Sequence, residues 1–218
     1  MEQFIATLQA ERLATLQAYL KTTGLTDYLL SDEEQAALDG LETTKWKAFK
    51  IGELFDVGTG TLVNIKSAEK GKTPRISVQT TSNGILGYFD ETIENAKYFE
   101  NFLTVNFFGI SFYHPYRASV EMKTHTLKLK NYELTKTKGL FFCTLLNKRL
   151  NGIYSYGNQL SSSKLKNDDL NINLPTLSNQ TPDYAYMETF IKAMQKVVIK
   201  NVVDYLEVRI DKTAVAIK

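Results

Sequence analysis

Gly71-Lys72-Thr73 has the ending of a phosphate-binding loop, in which glycine-rich backbone N–H groups wrap nucleotide phosphates and a lysine reaches them. The first glycine of such a loop would fall where Lys66 stands, and Pro74 removes a backbone donor where the next helix would begin. The triplet is therefore a poor nucleotide cradle. Glu121-Met122-Lys123 matches the acidic-x-lysine half of a metal-dependent nuclease site, but that chemistry needs a second carboxylate on the same ion. A solvent-facing pair at a strand end is the better reading. His114-Pro115-Tyr116-Arg117 only superficially echoes the Asn/Asp-Pro-Pro-aromatic loop of amino-group methyltransferases. The chain has no Pro-Pro pair and no glycine-rich strand-to-helix turn for a methyl donor. Cys143, in LFFCTLLNKRL, reads as a small buried hydrophobe, and one cysteine with two histidines does not readily assemble a zinc site. The residues argue for binding rather than chemistry, with no metal in this chain.

Basic residues fall in three clusters. Lys66, Lys70, Lys72 and Arg75 come first; Arg117, Lys123, Lys128, Lys130, Lys136 and Lys138 follow; Lys148, Arg149, Lys164 and Lys166 flank a tyrosine-containing loop. Between Arg75 and Gly84 lie Ser77, Gln79, Thr80, Thr81, Ser82 and Asn83, which exchange hydrogen bonds without bulk. Gln and Asn suit adenine edges, Arg suits guanine, and Ser or Thr suits either or a phosphate. Tyr154, Tyr156, Asn158 and Ser162 form a second polar and aromatic stretch beside Lys164 and Lys166. Both stretches are expected to line a groove that follows duplex DNA, with Arg75 and Gln79 to Asn83 as the reading edge of a hairpin. Any one lysine can equally be an ordinary solvated side chain.

The net charge of +2 conceals an asymmetry: residues 1–40 hold two cations against seven carboxylates, a balance of −5, leaving the remainder at +7. At 218 residues the chain suits one ordinary domain with an appendage. It has no apolar run of membrane-spanning length and no secretory start, so a cytoplasmic protein is expected.

The elements that must position these residues are legible from periodicity. Ile5, Leu8, Leu13, Leu16 and Leu20 gather on one helical face, Gly24 offers a stop, and Ser31 with Glu34 makes a capping-box pattern before a short helix through Leu38. From Trp46 short apolar runs broken by glycine read as strands and turns. Asn83-Gly84 signals a hairpin turn, Phe102 to Phe112 and His125 to Lys130 read as strands, and Leu140 to Leu150 as a buried helix. Ile172 and Leu174 end a strand, and Thr181-Pro182 predicts the cap and first position of a long helix to about Ile210. Met187, Phe190, Ile191, Met194, Val198, Val202 and Tyr205 make its apolar stripe, a seam for another helix. The expected fold is α+β: a helical appendage over 1–42, a mixed curved-sheet domain over 43–178 and a long helix over 179–218.

KWKAFKIGELFDVGTG, SNGILGYF, YSYGNQLSSSKLKNDDLNINLP and the helix after TPDYAYMETF, in that order, resemble target-recognition domains of restriction-modification specificity subunits. Both type I subunits and the separate subunits of related bipartite type II systems share this pattern, which covers about Lys45 to Ile210. The resemblance implies a non-enzymatic domain that reads one part of a split duplex target in the major groove, followed by a spacer helix. Full-length subunits carry two such domains, so this chain is expected to act as a half-subunit pairing with a second copy on inverted half-sites. Catalysis, with S-adenosylmethionine and Mg2+, would belong to partner modification and restriction subunits that flip the target adenine. The competing expectations are a helix-mediated assembly factor that touches no DNA and, more remotely, a nuclease using Glu121.

Overall fold

The computed structural model describes residues 2–23, 27–66, 68–167 and 170–216; the helix stop expected at Gly24 lies outside them. The chain forms two compact units, one of residues 1–43 with 189–218 and one of residues 44–188.

The first unit groups α1 (Glu2–Thr22) and α2 (Asp32–Asp39) with the greater part of α6 (Tyr184–Ala216), which is distant in sequence. The capping box at Ser31 and Glu34 is present, each side chain bonding the other's backbone N–H. The same Glu34 carboxylate takes an ion pair from Lys196, whose ammonium lies 3.0 Å from both Glu34 and Asp27 and donates to the Leu29 carbonyl at 2.9 Å. The bond from the Ser31 backbone N–H, and after it the Lys196 ammonium, favour the ionised carboxylate and hold Glu34 below the usual carboxyl range. The apolar face expected on α1 is only partly covered: Leu20 is buried, whereas Ile5 and Leu8 are exposed.

The second unit is built on two four-stranded sheets and a two-stranded ribbon. β1 (Trp46–Lys50) pairs with β10 (Asn171–Pro175). The short α3 (Ile51–Leu54) leads into β2 (Phe55–Thr59), which opens a sheet completed by β6 (Phe102–Asn106), β7 (Ser111–His114) and β9 (Thr124–Leu129) in the order β2-β9-β6-β7. The other sheet has β3 (Lys70–Ile76), β4 (Ile85–Phe89), β5 (Tyr98–Phe99) and β8 (Ala118–Val120) in the order β4-β3-β8-β5, with β3 and β8 parallel. Ile76, Phe102, Ala118 and Val120 pack together as a buried cluster. A second group forms where α4 (Lys136–Leu150) buries Phe142 edge-on to Phe55, 5.0 Å between ring centres. The helix expected over Leu140–Leu150 is thus present, starting four residues earlier on a Thr135 cap. Cys143 faces this interior, where burial pushes its thiol up to about 12, so at neutral pH it stays protonated and behaves as a hydrophobe.

Several expectations are corrected. Phe102–Phe112 is not one strand: Asn106 accepts from the backbone N–H groups of Phe108 and Ile110, and Gly109 takes φ +86°, so the chain reverses between β6 and β7. A Cβ at Gly109 would also sit 2.6 Å from the Leu150 carbonyl oxygen. Asn83-Gly84 does not form a two-residue turn; β3 and β4 are joined by residues 77–84, closed by Ser77 N–H donating to Gly84 at 2.8 Å. The long helix is capped by Asp183, which accepts from Tyr186 N–H at 2.9 Å, while Pro182 bridges Thr176. Met187 is fully buried and belongs to the core instead of the helix seam.

Candidate nucleic-acid interface

Four connections meet at one end of the 44–188 unit: the β3–β4 loop (77–84), the β6–β7 turn (107–110), the β8–β9 turn (121–123) and the segment 151–161 that follows α4. Strand register brings them there. Arg75 and Ile76 pair with Ser119 and Val120, so the parallel strands β3 and β8 deliver Ser77 and Glu121 to the same end, and Glu121 N–H donates to the Ile76 carbonyl. Gly60 lets the chain after β2 lie against the end of β8, because a Cβ there would sit 2.0 Å from the Val120 carbonyl oxygen.

Asn106 ties two of the connections together. Its carbonyl shapes the β6–β7 turn, and its amide donates to the Val78 carbonyl of the β3–β4 loop at 3.0 Å. Leu160 N–H donates to the Phe107 carbonyl at 3.0 Å, and the Leu160 carbonyl lies 3.1 Å from His125 Nε2. Burial lowers the His125 pKa, keeping the ring neutral, so Nε2–H serves as the donor.

Asn83 anchors the far side of the β3–β4 loop. Its amide lies 2.9 Å from Tyr116 Oη, 3.3 Å from the Tyr113 carbonyl and 3.4 Å from His114 Nδ1. Tyr116 Oη donates to His114 Nδ1 at 3.1 Å, and His114 Nε2 is 2.9 Å from Thr104 Oγ1. Burial pushes the His114 pKa down to about 4, which fixes the neutral ring this network requires. Ser82 and Asn83 both adopt left-handed backbone, at φ +52° and +55°. Such strain costs of order 1 kcal/mol or more for a residue like serine and persists where neighbours hold it. The result is a rigid loop that presents Thr80, Thr81 and Ser82 to solvent, with Gln79 half-buried beside them.

The other connections carry aromatic rings and ammonium groups. Tyr156 is 78% exposed and packs edge-on to Phe108, 5.2 Å between centres, and near Phe107 at 5.7 Å. The Lys123 ammonium sits over Phe107 at 5.5 Å and that of Lys164 over Tyr154 at 5.3 Å. Lys164, on α5 (Ser162–Asn167), also donates to Asn158 and to the Gln159 carbonyl, so it clamps the loop while keeping its charge at the surface. Gln79, Thr80, Thr81, Ser82, Lys123, Tyr154, Tyr156 and Asn158 thus lie on these connections, and Ser162 and Lys164 lie in the first turn of α5, which follows the last of them.

Other expected contacts lie elsewhere. Arg75 is only 2% exposed; its guanidinium donates to the Thr61 carbonyl at 3.0 Å and to Ser119 at 3.4 Å. It belongs to the interior because β3 is a central strand, and burial lowers its pKa. It beds a cleft of about 320 Å³ beneath Gln79 and Glu121 and cannot form a reading edge. Asn83 is corrected likewise, since its amide serves the fold. Lys70 and Lys72 begin β3, at its opposite end from the loop, with the Lys70 ammonium 4.9 Å from the Phe89 ring; Lys66 stands in the preceding loop. Arg117 precedes β8 and pairs with Glu91 at 3.0 Å over the Tyr98 ring. Lys166 lies where the α5 backbone is pressed against Gly52. Lys130 donates to the Gly52 carbonyl and Lys138 pairs with Glu188, so the central basic cluster is dispersed by the fold.

Phe107, Phe108 and Asn106 were not singled out in the sequence. The signal was Asn-Phe-Phe-Gly inside an apolar run, a polar turn former followed by a glycine. Among the described residues no group of three or more His, Cys, Asp or Glu side chains could hold a metal ion, and no helix is long and apolar enough to cross a membrane.

An α+β domain that gathers polar, aromatic and basic loops at one end of its sheets, followed by a long helix, is the architecture of a recognition module. The chain belongs to the family of type I restriction modification DNA specificity domains, whose model matches residues 43–204. It is 32% identical over 166 residues to the type II restriction enzyme BgcI specificity subunit S.BcgI of Heyndrickxia coagulans, covering 74% of this chain and 47% of that protein. The chain therefore spans about half the length of this curated relative. The crystal structure of the type I restriction-modification system S subunit from M. genitalium superposes with a TM-score of 0.52 at 14% identity, over 99% of this chain and 57% of that one. That similarity shows a shared fold.

Proposed function

We propose that this chain is the DNA sequence-specificity component of a restriction-modification system. Its 44–188 unit reads one half of an interrupted duplex target and brings modification and restriction subunits to it. The observation that carries this reading is the convergence of the four connections, which puts exposed Thr80 to Ser82, the Tyr156 ring and the Lys123 and Lys164 ammoniums at one end of the unit. Hydroxyls and amides read base edges, and ammonium groups hold the phosphates on either side. Lys70, Lys72, Arg117 and Lys166 then have at most a peripheral role on the backbone.

Catalysis, with S-adenosylmethionine and Mg2+, resides in the partner subunits, and this chain acts in the cytoplasm without turning over substrate itself. On α6, Met194, Val198, Val202 and Tyr205 present exposed apolar surface at helical spacing, which supports pairing with a second long helix, including that of a second copy. The same stripe supports the second reading, an assembly factor that binds helices and no DNA.

The test is selection of duplexes from a random pool by the full chain, alone and with its cognate modification subunit. An enriched sequence whose affinity falls steeply with salt supports the specificity reading. Failure to bind any duplex in either state refutes it and leaves the assembly reading. Light scattering on the DNA-bound chain tests pairing, and a monomer at high concentration refutes that part.

A further inference from the structure

Within the duplex-reading function proposed above, on which this inference rests, we infer that the Tyr156–Phe108 aromatic patch recognises the 5-methyl group of a thymine in the major groove. Tyr156 is 78% exposed, yet its ring is held: it lies edge-on to Phe108 at an interplanar angle of 84° and leans on Phe107, which is itself buried. The segment beneath it is closed by mutual bonds between Ser155 and Asn158, and Lys164 clamps its far side. A large ring so fixed covers little apolar area of its own domain. An exposed ring set in place by its neighbours offers a partner an apolar face at little cost in side-chain ordering.

The neighbours indicate which partner. The Lys123 ammonium sits over Phe107, and Asn106, next to Phe107, also holds the β3–β4 loop that presents Thr80 to Ser82. The patch thus lies among groups suited to a polyanion and to base edges. On the major-groove edge of unmodified DNA the apolar feature is the thymine methyl, and aromatic side chains make apolar contact with it. A wedge between base pairs would use the same ring but would not depend on that methyl.

The experiment uses the duplex enriched by the full chain. Each thymine in it is replaced in turn by uracil, which removes the methyl and leaves the hydrogen-bonding edge unchanged. At one thymine position the replacement is expected to weaken binding about fourfold, the worth of one buried methyl-sized group. Tyr156→Ala is expected to weaken binding to the thymine duplex and equalise it with the uracil duplex, whereas Tyr156→Phe keeps the preference. Tyr156 is exposed, so these variants should fold, and circular dichroism checks this. The inference is overturned if no uracil replacement weakens binding, if the enriched half-site contains no thymine, if Tyr156→Ala weakens both duplexes by the same factor, or if Tyr156→Phe abolishes the preference. In each case sequence-selective binding would still stand, whereas failure to enrich any duplex refutes both readings.

Discussion

Acidification to pH 5 is expected to cost the 44–188 unit about 2 kcal/mol through His114 alone. The ring is fully buried, and both nitrogens are engaged, Nδ1 accepting from Tyr116 Oη and Nε2 facing Thr104 Oγ1. Burial moves its pKa from 6.5 down to about 4. In the unfolded chain the imidazole binds a proton below about pH 6.5, whereas the folded ring stays neutral until about pH 4. Between those values unfolding takes up a proton, so stability falls as pH falls, and below the folded pKa the loss levels off. At about 1.36 kcal/mol per pH unit, the loss is about 2 kcal/mol between pH 6.5 and 5 and about 3 kcal/mol by pH 4. Urea unfolding of the parent and of His114→Gln at neutral pH and at about pH 5 separates this contribution from the carboxylates, which are common to both. The variant starts less stable but should lose about 2 kcal/mol less on acidification. With two histidines in the chain, nitrogen-detected titration assigns each ring directly. Identical pH dependence in the two proteins, or a folded-state pKa near 6.5 for His114, would refute the reasoning.

Asn83→Ala removes the amide that bonds Tyr116 and the Tyr113 carbonyl, so a stability loss of about 1–3 kcal/mol is expected in urea unfolding, with a reduced duplex preference as the β3–β4 loop loosens. Lys123→Ala and Lys164→Ala should each flatten the dependence of log binding constant on log salt by about 0.9. Lys130→Ala and Lys138→Ala, whose ammoniums lie against Gly52 and Glu188 away from the four connections, should leave that slope unchanged. Gly109→Ala, at φ +86° and against the Leu150 carbonyl, should lower stability by about 1–3 kcal/mol in thermal or urea unfolding.

Features that depend on near neighbours were legible in the sequence. The Ser31–Glu34 capping box, the helix through Leu140–Leu150 and the strand ending at Ile172 and Leu174 each follow from residues within a turn or two. The polar run from Gln79 to Ser82 and the loop around Tyr156 were also visible, because polar side chains between apolar runs mark connections. What failed depended on distant partners. Arg75 looks like a surface cation beside a polar run until β8 arrives on one side of β3 and β4 on the other. Asn83-Gly84 has the composition of a tight hairpin, but Tyr113 and Tyr116, some thirty residues away, set where Asn83 lies and so lengthen the loop. The Phe102–Phe112 run concealed a reversal because Asn106 spends its side chain on the turn backbone, which apolar periodicity does not register.

The parallel pairing of β3 with β8 also has a consequence for how the chain acquires its structure. Arg75 and the Ser119 that receives one of its bonds are 44 residues apart. A growing chain that has emerged only as far as the β3–β4 loop has β1, β2 and β3 and a guanidinium still in water. The sheet order β4-β3-β8-β5 cannot be completed until residue 120 is available, and closing so long a segment precedes any gain from the pairing. Desolvation of Arg75 is thereby tied to the arrival of β8. A fluorescent or hydrogen-exchange reporter on β3 should therefore become protected together with β8 during refolding, later than the backbone of α4, whose helical hydrogen bonds join residues four apart.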